Sequence, residues 1–236
     1  MEIRRFFLNS PINSDRVIVD GNEFHHMTAV LRYKVGYKAI LCDGSGYDFY
    51  VTIEKIEKNY AVCRVDQKVE NKTEPHLDFS LYICAIKSEK MDFAVQKAVE
   101  LGAKRIIPVI SQNTNEKNLR KDRLERIVSE ASKQCGRASL CLVSDPISFH
   151  TVLEEIQNLD CAIMAYEGEK DVLLRDLELQ DKKSIAIIIG SEGGFTVEEA
   201  AEAKEKGVAL FSLGKRILRA ETAAIATLAY VMLQFE

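Results

Sequence analysis

IIIGSEGGFTVEEA, residues 187–200, carries the chain from branched apolar residues through three glycines set around one acid and into a helix. Ile185-Ala186-Ile187-Ile188-Ile189 shows no alternation, so both of its faces are expected to be buried, as in a central parallel strand. The helix that follows is signed at both ends. Thr196 and Glu199 fit a capping box, Glu198 and Glu199 suit the positive first turn, and Lys204 and Lys206 suit the last turn before Gly207. In an open parallel sheet, ligands gather beyond the carboxyl ends of the strands, and Gly190-Ser191-Glu192-Gly193-Gly194 stands at such an end. A P-loop would need a lysine that is missing, a dinucleotide fingerprint would need a different glycine spacing, and no serine has the glycine flanks of a nucleophile elbow. What remains is a backbone built for close approach, beside an acid that would repel a phosphate and suit a cationic or hydrogen-bond-donating ligand. A turn that merely closes a strand–helix connection is the plainer alternative.

The next strand end repeats the theme. LGKRILRAETAA, residues 213–224, is a loop leading into the last helix. Gly214 again permits close backbone approach, Ile217 and Leu218 are apolar residues set between charges where they could floor an aromatic base, and Arg219 could reach an anionic group. Glu221 and Thr222 open the final helix, where dipole and capping chemistry is their plainer reading. That helix is apolar nearly all round and must be buried in its own domain or against a second subunit.

Upstream, strands alternate with helices from residue 76 onward. Strands are expected at 79–86, 105–110, 140–143, 161–165, 185–189 and 209–213. Helices are expected after Met91 up to Gly102, from an Asp122 cap to Gly136, through 149–156, and around 172–177. This order implies a mainly parallel sheet. The first seventy residues differ. Phe49, Val51 and Ile53 alternate with Tyr50, Thr52 and Glu54, Asp43-Gly44-Ser45-Gly46 reads as a hairpin turn, and 60–65 is one more strand, which together suggest a small barrel. Glu70 to Pro75 reads as a polar linker, dividing the chain into 1–72 and 73–236.

Composition narrows the function. A net charge of −4 advertises no nucleic acid in bulk, so any RNA surface must be a local patch. Met1-Glu2-Ile3-Arg4-Arg5 leads into no secretory signal, no apolar run is long enough to span a bilayer, and six cysteines without a Cys-x-x-Cys pair point to reduced thiols in a cytoplasmic protein. No metal site is expected, because the four histidines lack ligand spacing.

GSEGGFTVEEA (190–200) and LGKRILRAETAA (213–224) together resemble the RsmE family of the SPOUT (α/β-knot) methyltransferases, which methylate N3 of a uridine in 16S ribosomal RNA. The resemblance extends to MDFAVQKAVELGAKRIIPVISQNT (91–114), EASKQCGR (130–137), RRFFL (4–8) and HHMTAVLRYKVGYKAILCDGSG (25–46), and so covers nearly the whole chain. Ala220 stands where the family more often has threonine. The resemblance implies an α/β trefoil-knot domain behind a PUA-like β-barrel, S-adenosyl-L-methionine held in the knot, and a homodimer built on the knot region. It places Gly190, Ser191, Glu192, Gly193 and Gly194 on one side of the cofactor, with Leu213, Gly214, Ile217, Leu218, Arg219 and Thr222 opposite and Tyr166 and Glu167 as a third wall. The cofactor's positive, phosphate-free sulfonium agrees with Glu192 and the missing lysine.

Uracil N3 carries a proton that must leave before or during attack, so catalysis needs positioning, a base and charge stabilisation. Arg219 is the expected anion-stabilising group, and Glu192 or Glu221 the proton acceptor. RNA contact is expected at Arg4, Arg5, Arg32, Tyr33, Lys34 and Arg137, with Tyr33 free to stack a base. The run Lys117, Arg120, Lys121, Arg123 reads rather as a solvated face. The alternatives are a related knotted enzyme acting on another nucleotide or a ribose 2′-oxygen, a hydrolase or oxidoreductase on a doubly wound sheet, and a non-enzymatic RNA adaptor. The absent motifs disfavour the second, and the intact glycine turns disfavour the third.

Overall fold

The computed structural model describes residues 3–116 and 119–235; Lys117 of the basic run lies outside them. The chain forms two compact units. One takes the described residues up to Glu74 together with Ser132–Leu140, and the other takes Pro75–Ala131 and Cys141 onward.

In the first unit, β1 (Arg5–Phe7), β2 (Arg16–Asp20), β3 (Lys38–Cys42), β4 (Tyr47–Ile56) and β5 (Tyr60–Glu70) form one curled sheet in the order β1-β3-β4-β5-β2. The alternation in β4 does what its period requires: Phe49, Val51 and Ile53 are buried, while Tyr50, Thr52 and Glu54 are half-exposed. Two register shifts in the β4–β5 ladder, at Tyr50/Val51 and Ile53/Lys55, bend the hairpin so that it closes over its own core. Helix α1 (Gly21–His25) runs into a π-helical turn, His26–Val30, which drops Met27 into that core.

Three residues expected at an RNA surface are internal. Tyr33 is only 6% exposed, its ring packs edge-on against Phe6 and Tyr37, and its hydroxyl accepts from the Arg4 main-chain N–H, so no base can stack on it. Arg5 forms a two-point ion pair with the buried Asp48, one arm at 2.8 Å, and also donates to the Cys42 thiol at 2.9 Å. Arg137 is 3% exposed and pairs with Glu74 at 2.8 Å. A guanidinium held inside the fold and paired with a carboxylate is not available to a phosphate. Glu70 to Pro75 is likewise no loose linker. β5 runs through Glu70, Asn71 donates to both Asp48 and the Gly136 carbonyl, and Thr73 also donates to Gly136.

In the second unit, β6 (Asp78–Cys84), β7 (Arg105–Ile110), β8 (Leu142–Val143), β9 (Ile147–Ser148), β10 (Cys161–Ala165), β11 (Ser184–Ile189) and β12 (Ala209–Phe211) form a sheet in which every pair is parallel. Its order is β12-β10-β11-β6-β7-β8, with β9 also on β7. β11 lies between β10 and β6 and is buried from Ile185 to Ile189, the central strand that its unbroken apolar run requires. Helices α4 (Phe149–Glu155) and α5 (Val197–Glu205) share a core with Ala186 and Ile188, and α6 (Ala220–Phe235) packs on β11 and on α2 (Ser88–Glu100).

Differences from the expected elements have local causes. Instead of a helix around 172–177 there is only a 3-10 turn, Leu174–Asp176. Ser212, just past β12, donates to the Val172 carbonyl and accepts from the Leu174 N–H, which holds Leu173 extended. α3 (Lys121–Cys135) starts before Asp122, whose side chain pairs with Arg120 at 2.7 Å rather than capping. α6 starts at Ala220, so Thr222 sits inside the first turn, exposed, and not at a cap.

Candidate functional site

The carboxyl ends of β10, β11 and β12 are brought level by their pairing, with Met164 opposite Ile188 and Ala165 opposite Phe211. The loops that leave them enclose a cavity of about 570 Å³, the size of a small-ligand site. The β10 loop supplies Tyr166, Glu167, Lys170, Asp171 and Leu173. The β11 turn supplies Gly190, Ser191, Glu192, Gly194 and Phe195. The β12 loop supplies Ser212 through Arg219, and the strand-end residues Ala165 and Ile189 with Ala220 and Ala223 of α6 complete the lining.

The turn after β11 is held by a Gly194 N–H to Ser191 carbonyl bond of 3.0 Å, with Gly194 at φ +65°, where a side chain is strained. Beyond it the capping box forms: Thr196 Oγ1 accepts from the Glu199 N–H, and Glu199 accepts from the Thr196 N–H. Gly214, at φ +105°, turns the chain between β12 and Lys215.

Of the expected cofactor positions, this geometry brings together Tyr166, Glu167, Gly190, Ser191, Glu192, Gly194, Leu213, Gly214, Ile217, Leu218 and Arg219. Gly193 and Thr222 do not line the cavity. Nor does Glu221, a half-buried residue in the first turn of α6 whose Oε2 has no hydrogen-bond partner among the described residues. Arg219 is exposed on the cavity wall and makes no side-chain hydrogen bond or ion pair among the described residues. Glu192 reaches out of the turn to Lys90 Nζ at 2.8 Å. Burial opposes its ionisation, but the Lys90 hydrogen bond and charge outweigh this, with help from Lys87, and hold the carboxyl below its usual range.

Lys170, Asp171, Leu173, Phe195, Lys215 and Arg216 line the cavity beyond the positions expected from the sequence. Phe195, Lys215 and Arg216 lie within the two quoted stretches and were legible as neighbours of the glycines. Lys170 to Leu173 carried no motif, and they are brought in by the bond from Ser212 to Val172. Among the described residues no cluster of His, Cys, Asp or Glu could hold a metal ion, and no helix is long and apolar enough to cross a membrane.

A parallel sheet whose last strand is laced into the loop after β10, with a curled half-barrel of strands at the amino end, defines a PUA-like unit joined to an α/β-knot methyltransferase unit. A family model described as an RNA methyltransferase domain matches residues 73–232, and one described as an RNA methyltransferase PUA domain matches 19–66. The chain is 32% identical to the ribosomal RNA small subunit methyltransferase E of Rickettsia conorii, over 99% of this chain and 96% of that one. The structure of the Neisseria gonorrhoeae ribosomal RNA small subunit methyltransferase E bound to S-adenosyl methionine superposes with a TM-score of 0.89 at 29% identity, over 99% of this chain and 98% of that one. A Legionella pneumophila methyltransferase structure in complex with bound SAM gives 0.90 at 26% identity with the same coverage. The chain belongs to the ribosomal RNA small subunit methyltransferase E family.

Proposed function

We propose that the protein transfers a methyl group from S-adenosylmethionine to N3 of a uridine in small-subunit ribosomal RNA. The observation that carries this reading is the cavity at the ends of β10, β11 and β12, formed by the family's two glycine-bearing loops. Its lining fits the cofactor. Ile189, Leu173, Leu213 and Leu218 offer apolar surface for an adenine, and the glycine turns offer backbone at close range. Glu167, Asp171 and Glu192 offer acceptors for hydroxyl, amino and cationic groups. When bound, the cofactor supplies an electrophilic methyl group on a sulfonium.

The chain's own part is to orient the uracil, stabilise its anion and accept a proton. Arg219 would hold the uracil oxygens or the adjoining phosphate, a role supported by its exposure on the cavity wall without an ion pair among the described residues. Of the two candidate acceptors, Glu192 lines the cavity and Glu221 does not. Lys90 keeps Glu192 ionised and ready to accept, while making it a weaker base.

On the first unit, Arg4, Arg32 and Lys34 remain exposed, and Arg32 is held at φ +56°, uncommon for a residue with a side chain. Arg32 and Lys34 flank the buried Tyr33 as a two-cation grip on RNA backbone. Replacing either with alanine is expected to flatten the slope of log affinity against log salt by roughly one unit. An unchanged slope for both variants would take the RNA contact elsewhere.

The division into residues 1–72 and 73–236 is supported by the family match that starts at 73 and by the change of unit after Glu74, except that Ser132–Leu140 belongs to the first unit. A homodimer through the knot region is supported by exposed apolar side chains on two helices that pack together, Leu233 on α6 and Phe93 on α2. A cytoplasmic location follows from a ribosomal RNA substrate. Calorimetry with S-adenosylmethionine, followed by mass mapping of 16S RNA methylated in vitro, tests the reading. Micromolar binding and one N3-methylated uridine are expected, and a 2′-O-methylated ribose would favour the related-enzyme alternative. Sedimentation of the same preparation should show twice the 26.6 kDa chain mass.

A further inference from the structure

The loop after β7 lines none of the cavity, yet it is bonded to the glycine turn and to the helix behind it. Asn113 Nδ2 donates to the Gly193 carbonyl at 3.0 Å, and Ser191 Oγ donates to the Asn113 carbonyl at 3.0 Å. The Gln112 main-chain N–H donates to Glu199 Oε1 at 2.8 Å, while Oε2 of the same carboxyl accepts from the Thr196 N–H at 3.0 Å. Glu199 is 9% exposed, so a single buried carboxyl joins the cap of α5 to the β7 loop. The loop is itself stiff: the Ser111 N–H donates to Thr114 Oγ1 at 3.0 Å, and the two hydroxyls, both buried, lie 2.9 Å apart. The fit against the turn is close. A Cβ at position 193 would come 2.9 Å from Asn113 Cβ and 3.2 Å from its carbonyl oxygen.

A turn with three glycines has wide backbone freedom, and freezing it costs more entropy than freezing any other residues. Something outside the turn must select one conformer. We infer that Asn113 and Glu199 are positioning residues that hold the 190–194 turn in the form that receives the cofactor. The inference rests on the reading that this turn binds S-adenosylmethionine. The Asn113 amide is the donor that fixes the Gly193 peptide, and Glu199 anchors the loop from which Asn113 projects. Without them the competent conformer becomes a fraction of the population, and apparent cofactor affinity falls by that fraction while the chemistry at saturating cofactor is retained.

The test compares three variants by calorimetry with S-adenosylmethionine, thermal melting and methylation kinetics. Asn113→Ala is expected to weaken cofactor binding about three- to tenfold, the range for one lost hydrogen bond, with kcat at saturating cofactor within about twofold of wild type. Asn113→Asp keeps the shape but removes the donor and sets an acidic group against the Gly193 carbonyl, so it should bind more weakly than the alanine variant. Thr196→Ala removes the cap of α5 without touching the β7 loop. It should lower the melting temperature yet keep cofactor affinity within about twofold, because the loss is confined to a cap. The inference is overturned if Asn113→Asp binds as tightly as wild type, or if Thr196→Ala loses as much affinity as Asn113→Ala, since binding would then follow helix stability alone. Wild-type protein that fails to bind would remove the reading of the site itself, and this inference with it.

Discussion

Arg219→Ala is expected to lower methylation turnover at saturating RNA and cofactor by about 10²- to 10³-fold, the usual effect of removing one preorganised group that meets developing charge. Cofactor affinity should stay within a few-fold of wild type. The side chain stands exposed on the cavity wall with no carboxylate paired to it among the described residues, so its charge is available to a ligand. Uracil becomes anionic at N3 as its proton leaves, and a cation beside its oxygens favours that form. Loss of the cation should therefore shift the rising limb of the pH–rate profile to higher pH, and a fold defect would not do this. Arg219→Lys restores the charge but not the two-point geometry, so it should recover part of the rate. Full turnover in the alanine variant, measured in single-turnover assays, would assign the charge stabilisation to another group, with Lys215 and Arg216 of the same loop the first to examine.

The parts of the site that were legible in the sequence are those whose physics is local. The unbroken run Ile185–Ile189 has to be a doubly buried strand, Gly194 and Gly214 have to occupy conformations that strain other residues, and Thr196 with Glu199 forms the box their spacing permits. What could not be read is what distant chain segments do to one another. Nothing near Tyr33 says that Phe6 will cover its ring, and nothing near Arg5 says that Asp48 will claim its guanidinium, 43 residues on. A basic or aromatic residue in an amphipathic stretch looks the same whether it faces RNA or a buried partner, and only burial separates the two cases. The failed helix around 172–177 has the same origin. Its residues were apolar at helical spacing, but Ser212, some forty residues away, offered a backbone partner that competed with the helix. Glu199 shows both sides: its capping bond was predictable from four residues, and its second bond, to Gln112, was not.

Asp48→Ala is expected to destabilise the protein by about 3–5 kcal/mol, because it leaves the Arg5 guanidinium in a buried site without its counter-charge. The carboxyl is a hub: it takes two bonds from Arg5, one from Asn71 and a weak one from the Cys42 thiol, whose own ionisation burial pushes up to about 12. Asn71 in turn holds the Gly136 carbonyl, so the loss spreads to the chain segment that closes this unit. Burial opposes the ionisation of Asp48, but the hydrogen bonds from Arg5 and Asn71 and the Arg5 charge outweigh it and hold its carboxyl below the usual range. The sign of the pH dependence follows. A carboxyl with a folded pKa below its unfolded value, about 3.9, contributes stability that is fully present above the unfolded value and is lost as pH falls through the folded one. Guanidinium melts of wild type and Asp48→Ala should therefore differ most at neutral pH and draw together in acid. The paired replacement Arg5→Met with Asp48→Leu should recover much of the loss, since removing both charges leaves neither one buried alone. If the single variant melted like wild type at pH 7, the guanidinium would have to be reaching water after all, and Arg5 would return to the list of cations available to RNA.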